Sequence, residues 1–275
     1  MKKILCSTGA LISKYNNLDY SLIEPLSKIL GCDSFEFMMY SAWENETDEI
    51  IHTLSEMNVE FPVVHAIKHI GEQISRGGSG DFDNAVRRYE ICCKVAKGIG
   101  SDKIVVHLWG GMPSDNNFEN NKSMYKELKA ISDEYGVEML VENVVCNNKD
   151  PMSRLLELFE AYPDMNIVFD TKMAAFHEQL QLIYGDDVRW LWRDGHIKHL
   201  HVNDYNGGYM DWGNLAALPL GAGKIDFETF FQFIENEKYN GDYTIEATAF
   251  QKDGSIDTDM LNRCFQTVRA SVLSR

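Results

Sequence analysis

Val137-Glu138-Met139-Leu140-Val141-Glu142 is a short apolar run closed by a carboxylate, and Asn166-Ile167-Val168-Phe169-Asp170 repeats the form further along. A short, nearly continuous apolar run bounded by turns reads as a strand buried on both faces. Working outward, the same unit recurs along the chain. Lys3–Cys6, Ser34–Met38, Phe61–His65, Lys103–His107, Val137–Glu142, Asn166–Asp170, Ile197–Val202 and Asp242–Glu246 all read as strands. Their starts recur roughly every 30–45 residues, the spacing of βα units.

The segments between them carry helical periods. Leu22, Leu26, Ile29 and Leu30 form one apolar face that Gly31 ends, and Ala85, Tyr89, Cys92, Ala96 and Ile99 form another. Met124, Leu128, Ile131 and Tyr135 precede a glycine stop at Gly136, and Leu261, Phe265, Val268 and Val272 form the last face. Asp226 reads as the N-cap of a helix beginning at Phe227. Eight such units in 275 residues predict an α/β protein, a (β/α)₈ TIM barrel in a single domain over residues 1–275. A doubly wound open sheet is the second reading. The longest irregular stretch, Asn203–Lys224, follows the seventh strand and reads as functional.

Composition narrows the function. The formal net charge is −16, which disfavours nucleic acid and anionic membrane as partners, because phosphate binding relies on clustered Lys and Arg. No apolar run is long enough to span a bilayer. The start, Met1-Lys2-Lys3-Ile4-Leu5-Cys6, has the basic character of a signal n-region, but its apolar stretch breaks at Ser7-Thr8-Gly9, so a first strand is expected there. The six cysteines form no C-x-x-C pair, and scattered reduced thiols point to the cytoplasm.

In such a barrel the active site lies at the C-terminal ends of the strands. His65, His107, Glu142, Asp170, His201 and Glu246 each close an apolar run there. One strand-end carboxylate is ordinarily a helix cap; six polar residues converging on one rim are more than capping requires. Carboxylates and imidazoles in one small space raise one another's pKa values, and a divalent cation relieves the conflict. Oxygen and imidazole donors suit Mn²⁺ first, with Co²⁺, Mg²⁺ and Zn²⁺ also compatible. Trp109, after His107, offers a wall for a sugar face or packs beneath its loop. Lys172, two past Asp170, is placed to stabilise an enolate oxygen or merely begins a helix. His65, Lys68, His69 and Arg76 follow the third strand and could grip an anion, although solvated surface charge is the ordinary role of Lys68 and Arg76. His199 shares a strand face with His201, one pleat away. Alternation turns Glu36 inward.

These pieces resemble the xylose-isomerase-like barrel superfamily of sugar and sugar-phosphate isomerases, ketose epimerases, inosose dehydratase and the endonuclease-IV group. The resemblance rests on Val-Val-His65, Val-Val-His107, Val141-Glu142-Asn143, Phe169-Asp170-Thr171, His199-Leu200-His201-Val202-Asn203-Asp204, Pro219-Leu220-Gly221-Ala222-Gly223-Lys224-Ile225-Asp226 and Tyr239-Asn240-Gly241-Asp242-Tyr243-Thr244-Ile245-Glu246. It implies that Glu142, Asp170, His201 and Glu246 ligate one metal ion, and that Glu142 and Glu246 also move the proton. Three positions depart from it. Met173 stands for a common His, Asn148 for a second Glu and Gly207 for an Arg. Leu215 and Ala217 replace the Asp-x-His that a three-metal nuclease site needs. The expected activity is therefore proton abstraction next to a carbonyl, giving isomerisation or epimerisation of a sugar, sugar phosphate or cyclitol. Cyclitol dehydration and a non-catalytic metabolite-binding barrel are the alternatives, with a homo-oligomer compatible with either.

Overall fold

The computed structural model describes residues 2–272; Met1 and residues 273–275, the ends of the expected domain, lie outside the described residues. Eight parallel strands follow one another in chain order and close into a barrel. They are β1 (Ile4–Ser7), β2 (Ser34–Met38), β3 (Val63–His65), β4 (Lys103–Val106), β5 (Glu138–Glu142), β6 (Asn166–Asp170), β7 (Ile197–His201) and β8 (Asp242–Ile245). The helices are α1 (Ile23–Ser27), α2 (Thr47–Glu56), α3 (His69–Arg76), α4 (Asp81–Gly98), α5 (Phe118–Tyr135), α6 (Pro151–Ala161), α7 (Thr171–Phe176), α8 (Trp190–Arg193), α9 (Phe227–Asn236) and α10 (Thr258–Val272). No helix of the described residues is long and apolar enough to cross a membrane.

The chain's contacts gather into two halves. One is Glu36–Val168; the other runs through Phe35 and resumes at Phe169. In the first half the register pairs Met38 with His65, His65 with Val105, Val106 with Val141 and Glu142 with Val168. In the second, β8 lies between β1 and β7, pairing Cys6 with Ile245 and His201 with Thr244. The central residues of these strands are buried, as strands covered by helices on the outside require.

Glycine and aspartate end and begin the helices as their chemistry directs. Gly136 takes φ +70 and donates its N–H to the Asp133 and Ser132 carbonyls, closing α5. Asp226 accepts from the Thr229 N–H at 3.1 Å, capping α9. The first expected helix differs. Pro25 falls inside it, α1 shrinks to five residues, and Ile23 and Leu30 are buried while Ile29 is 57% exposed. Pro25 sits in the first turn, where its missing N–H costs no helical hydrogen bond, and the helix ends at Ser27 before the expected face is complete. Strand ends also move: β3 starts after Pro62, whose carbonyl instead accepts from Asp102 and Lys103.

Candidate functional site

In the half Glu36–Val168, β3 and β4 each deliver an imidazole to the carboxylate that ends β5. His65 Nε2 lies 3.3 Å and His107 Nε2 2.7 Å from the same Glu142 oxygen, Oε2. His65 Nδ1 is 2.8 Å from the Ala66 carbonyl, which can only accept, so that nitrogen carries a proton. The two rings meet edge to face at 4.9 Å. Burial pushes the His107 imidazole down to about 4, against the pull of the Glu142 carboxylate, so the ring is neutral near pH 7. Glu142, His65 and His107 are all buried.

In the other half, β6 ends on Asp170, β7 on His201, and Glu246 follows β8. One ligand atom from each lies within 4.8 Å of the others. Asn203 ties them together. Its Nδ2 donates to Asp170 Oδ2 and to Glu246 Oε2, each at 3.2 Å, and its Oδ1 accepts the Glu246 N–H at 3.0 Å. Thr171 fixes Asn203 in turn, its hydroxyl accepting the Asn203 N–H at 3.0 Å and donating to the Asn203 carbonyl at 2.7 Å. Asp170 also caps α7 through the Met173 N–H at 2.8 Å. His201 Nδ1 is 3.6 Å from Glu246 Oε2, and Lys172 Nζ is 3.9 Å from Asp170 Oδ2.

The structure separates the remaining sequence candidates. His199 turns to the Thr244 hydroxyl at 2.7 Å, one pleat below His201. Glu36 is fully buried. Trp109 is fully buried too: its indole N–H donates to the Val144 carbonyl at 2.8 Å and its ring meets Phe118 edge to face. It offers no face to solvent and braces the loop after β4. Lys68 and His69 are exposed, and Arg76 forks onto Asp81 at 2.8 and 2.9 Å. Lys172 is buried beside Asp170 rather than surface-exposed. The Gly221-Ala222-Gly223 turn is gathered by the buried Asp204, whose Oδ2 accepts the N–H groups of Gly221 and Gly223 at 2.9 and 2.8 Å. Asn203 and Asp204 stood in the sequence as parts of a motif; their roles depend on a side chain reaching a strand or loop far along the chain.

Asp170, His201 and Glu246 suit a divalent cation. The buried Asp170 and the half-buried Glu246 share a neutral amide, which orients them without cancelling their charge. The donors are carboxylate oxygen and imidazole nitrogen, a set for hard or borderline ions.

A family model described as the xylose isomerase-like TIM barrel matches residues 25–261. A solved D-tagatose 3-epimerase-like protein is similar over 97% of both chains, at 20% identity and a TM-score of 0.67. A 3-keto-D-glucoside 4-epimerase from E. coli, in apo form, is similar over 98% of this chain and 100% of its own, at 16% identity and a TM-score of 0.68. The IOLI protein, solved with a zinc atom, is similar over 99% of this chain and 98% of its own, at 14% identity and a TM-score of 0.68. At these identities the likeness shows the fold. No curated protein sequence matches the chain.

Proposed function

The chain belongs to the xylose isomerase-like TIM barrel family, and from that premise we propose that it is a divalent-metal-dependent isomerase or epimerase of a sugar derivative. The observation that carries the reading is the Asn203-centred group of Asp170, His201 and Glu246, two buried donors and one half-buried donor of the right chemistry at strand ends. Glu142, on the strand paired with β6, is assigned as the fourth ligand. The epimerase names of two structural relatives support the sugar reading, and the zinc atom of the third supports the metal.

A cation held by these residues, Mn²⁺ in first place, would polarise a substrate carbonyl and stabilise the charge that develops when the neighbouring carbon loses its proton. The chain's own residues do the rest. Glu142 and Glu246 are assigned the proton transfers, one removing the carbon-bound proton and the other returning it. Return to the opposite face of the same carbon inverts it; return to the adjacent carbon isomerises. His65 Nε2 is within hydrogen-bond distance of Glu142 Oε2, and the His107 ring packs against the same oxygen, which limits that carboxylate's orientation. His107, at 7% the more exposed of the two, and Lys172 are assigned to substrate hydroxyls. The six cysteines are free, which fits a reducing cytoplasm.

The substrate is assigned as a modified sugar, sugar phosphate or cyclitol. Met173 is buried, Asn148 spends its side chain on Asn116 at 2.7 Å, and a side chain at Gly207 would collide with the Tyr205 ring. None of the three presents the polar group that holds a free ketose in many relatives. The test is a panel of free, phosphorylated and cyclic keto-sugars incubated with Mn²⁺-loaded protein in deuterated water. Solvent deuterium should enter a modified or cyclic substrate at the carbon next to the carbonyl. Efficient epimerisation of free fructose, tagatose or psicose would overturn the substrate assignment, and no exchange with any of the panel would overturn the enzyme reading.

A further inference from the structure

The loop after β4 is fastened to the loop after β5 by contacts that run in parallel order away from the site. His107 Nε2 meets Glu142 Oε2 at 2.7 Å. Trp109 Nε1 donates to the Val144 carbonyl at 2.8 Å, and Ser114 Oγ donates to the Val145 carbonyl at 2.8 Å. Asp115 Oδ1 then accepts the Asn147 and Asn148 N–H groups at 2.7 and 2.9 Å, and its Oδ2 accepts that of Lys149 at 3.0 Å. Arg154, on α6, completes the series by donating Nε and Nη2 to the same Oδ2 at 2.9 and 2.7 Å.

Ordinary loop packing needs less than this. Trp109, Ser114 and Asp115 are fully or almost fully buried, and burying a carboxylate costs free energy that apolar packing avoids. Ser114 also sits at φ +37, a strained backbone for a residue with a side chain. What the carboxylate supplies is direction: three successive amides aimed at one side chain fix the backbone path of Asn147–Lys149. That path begins five residues beyond Glu142, and the Val144 N–H already closes back on the Glu142 carbonyl at 2.9 Å.

Resting on the functional reading above, we infer that Asp115 is a positioning residue: with Trp109, Ser114 and Arg154 it fixes the chain beyond β5 and so the angle at which Glu142 presents its carboxylate. Its contribution to the metal centre then passes through Glu142 alone.

A double-mutant cycle on Mn²⁺ affinity tests this without a known substrate. Asp115→Asn should weaken Mn²⁺ binding about tenfold, the low end for residues that orient metal ligands. In a Glu142→Ala background, which removes the ligand oxygen, the same change should alter affinity by less than about twofold, the scatter of independent sites. Ser114→Ala, which removes one hydroxyl, gives a milder second arm if Asp115→Asn fails to fold. Thermal melting of each variant separates a stability effect, which would lower the melting point and leave the cycle additive. Additive losses in folded variants, or a folded Asp115→Asn that binds Mn²⁺ like the parent, overturn the inference. A parent chain that binds no Mn²⁺ overturns instead the metal reading beneath it.

Discussion

Asn203 commits each of its polar groups to the candidate site, two hydrogen bonds from its amide N–H₂ to opposing carboxylates and one from the Glu246 backbone to its oxygen. Without a cation it separates two charges; with one it would hold their oxygens at ligand spacing. Asn203→Ala should fold and lose about ten- to a hundredfold in Mn²⁺ affinity, the usual cost of removing an orienting partner. Asp170→Asn and His201→Ala should lose binding altogether. Calorimetric titration distinguishes these cases, and a parent-like affinity in Asn203→Ala would reduce Asn203 to a turn residue. A second expectation concerns chemistry. Glu142→Gln and Glu246→Gln keep an oxygen ligand but remove the base, so each should lower turnover by at least about a hundredfold. Metal-loaded Gln variants working at the parent rate would make the glutamates ligands only, and His107 or Lys172 would be the next bases to examine. At this scale the sequence showed which residues end strands, because an apolar run stops at each. It could not show that His65 and His107 reach the same oxygen of Glu142, or that Trp109 faces inward, because side-chain direction in a loop depends on its neighbours in space.

Elements were easier to read than residues, and for a physical reason. A strand covered by helices must be apolar throughout, so all eight strands stood out and their order fixed the barrel. Helix α1 departs from the spacing of Leu22, Leu26, Ile29 and Leu30: it ends at Ser27, and Ile29 stays exposed. The β4–α5 connection was unreadable, since Asp115 gave no local signal of the amides it gathers from beyond β5. Its electrostatics yield a prediction for that element. Burial pushes the Asp115 carboxyl up, but the Asn148 N–H, the Arg154 guanidinium and the Asn147 and Lys149 N–H groups outweigh it and hold it below the usual carboxylate range. In the unfolded chain an aspartate titrates near about 3.9. As pH falls through that value the unfolded chain takes up a proton that the folded chain still refuses, so stability is lost; above it the contribution is complete. Asp115→Asn should therefore be less stable than the parent at neutral pH, with a deficit that shrinks below about pH 4. Urea midpoints across the acid range measure it, and a deficit that stays constant would mean that Asp115 carries no depressed pKa.

The whole chain carries a net charge of −16, which includes the carboxylates assigned to the proposed centre. A field of that sign draws divalent cations and repels polyanions, so the molecule as a whole favours the class of ion proposed for its site. Binding that ion only in the folded state must stabilise the fold by mass action. At a free Mn²⁺ concentration about a hundred times the dissociation constant, the gain is about 2.7 kcal/mol. For a chain of this size each kcal/mol raises the melting point by about 2–4 °C, so Mn²⁺ should raise it by about 5–10 °C over chelator-treated protein. Asp170→Asn should show none of that rise, because it lacks the site; Asp115→Asn should show the rise at a higher Mn²⁺ concentration, because its site is intact but misaimed. Added monovalent salt should shift the parent's titration to higher Mn²⁺, since the attraction of the acidic surface is screened. Scanning calorimetry over a Mn²⁺ series reads all three. If the parent melts at one temperature with chelator and with saturating Mn²⁺, then the Asp170 and Glu246 carboxylates are balanced by the protein itself, and the metal reading falls.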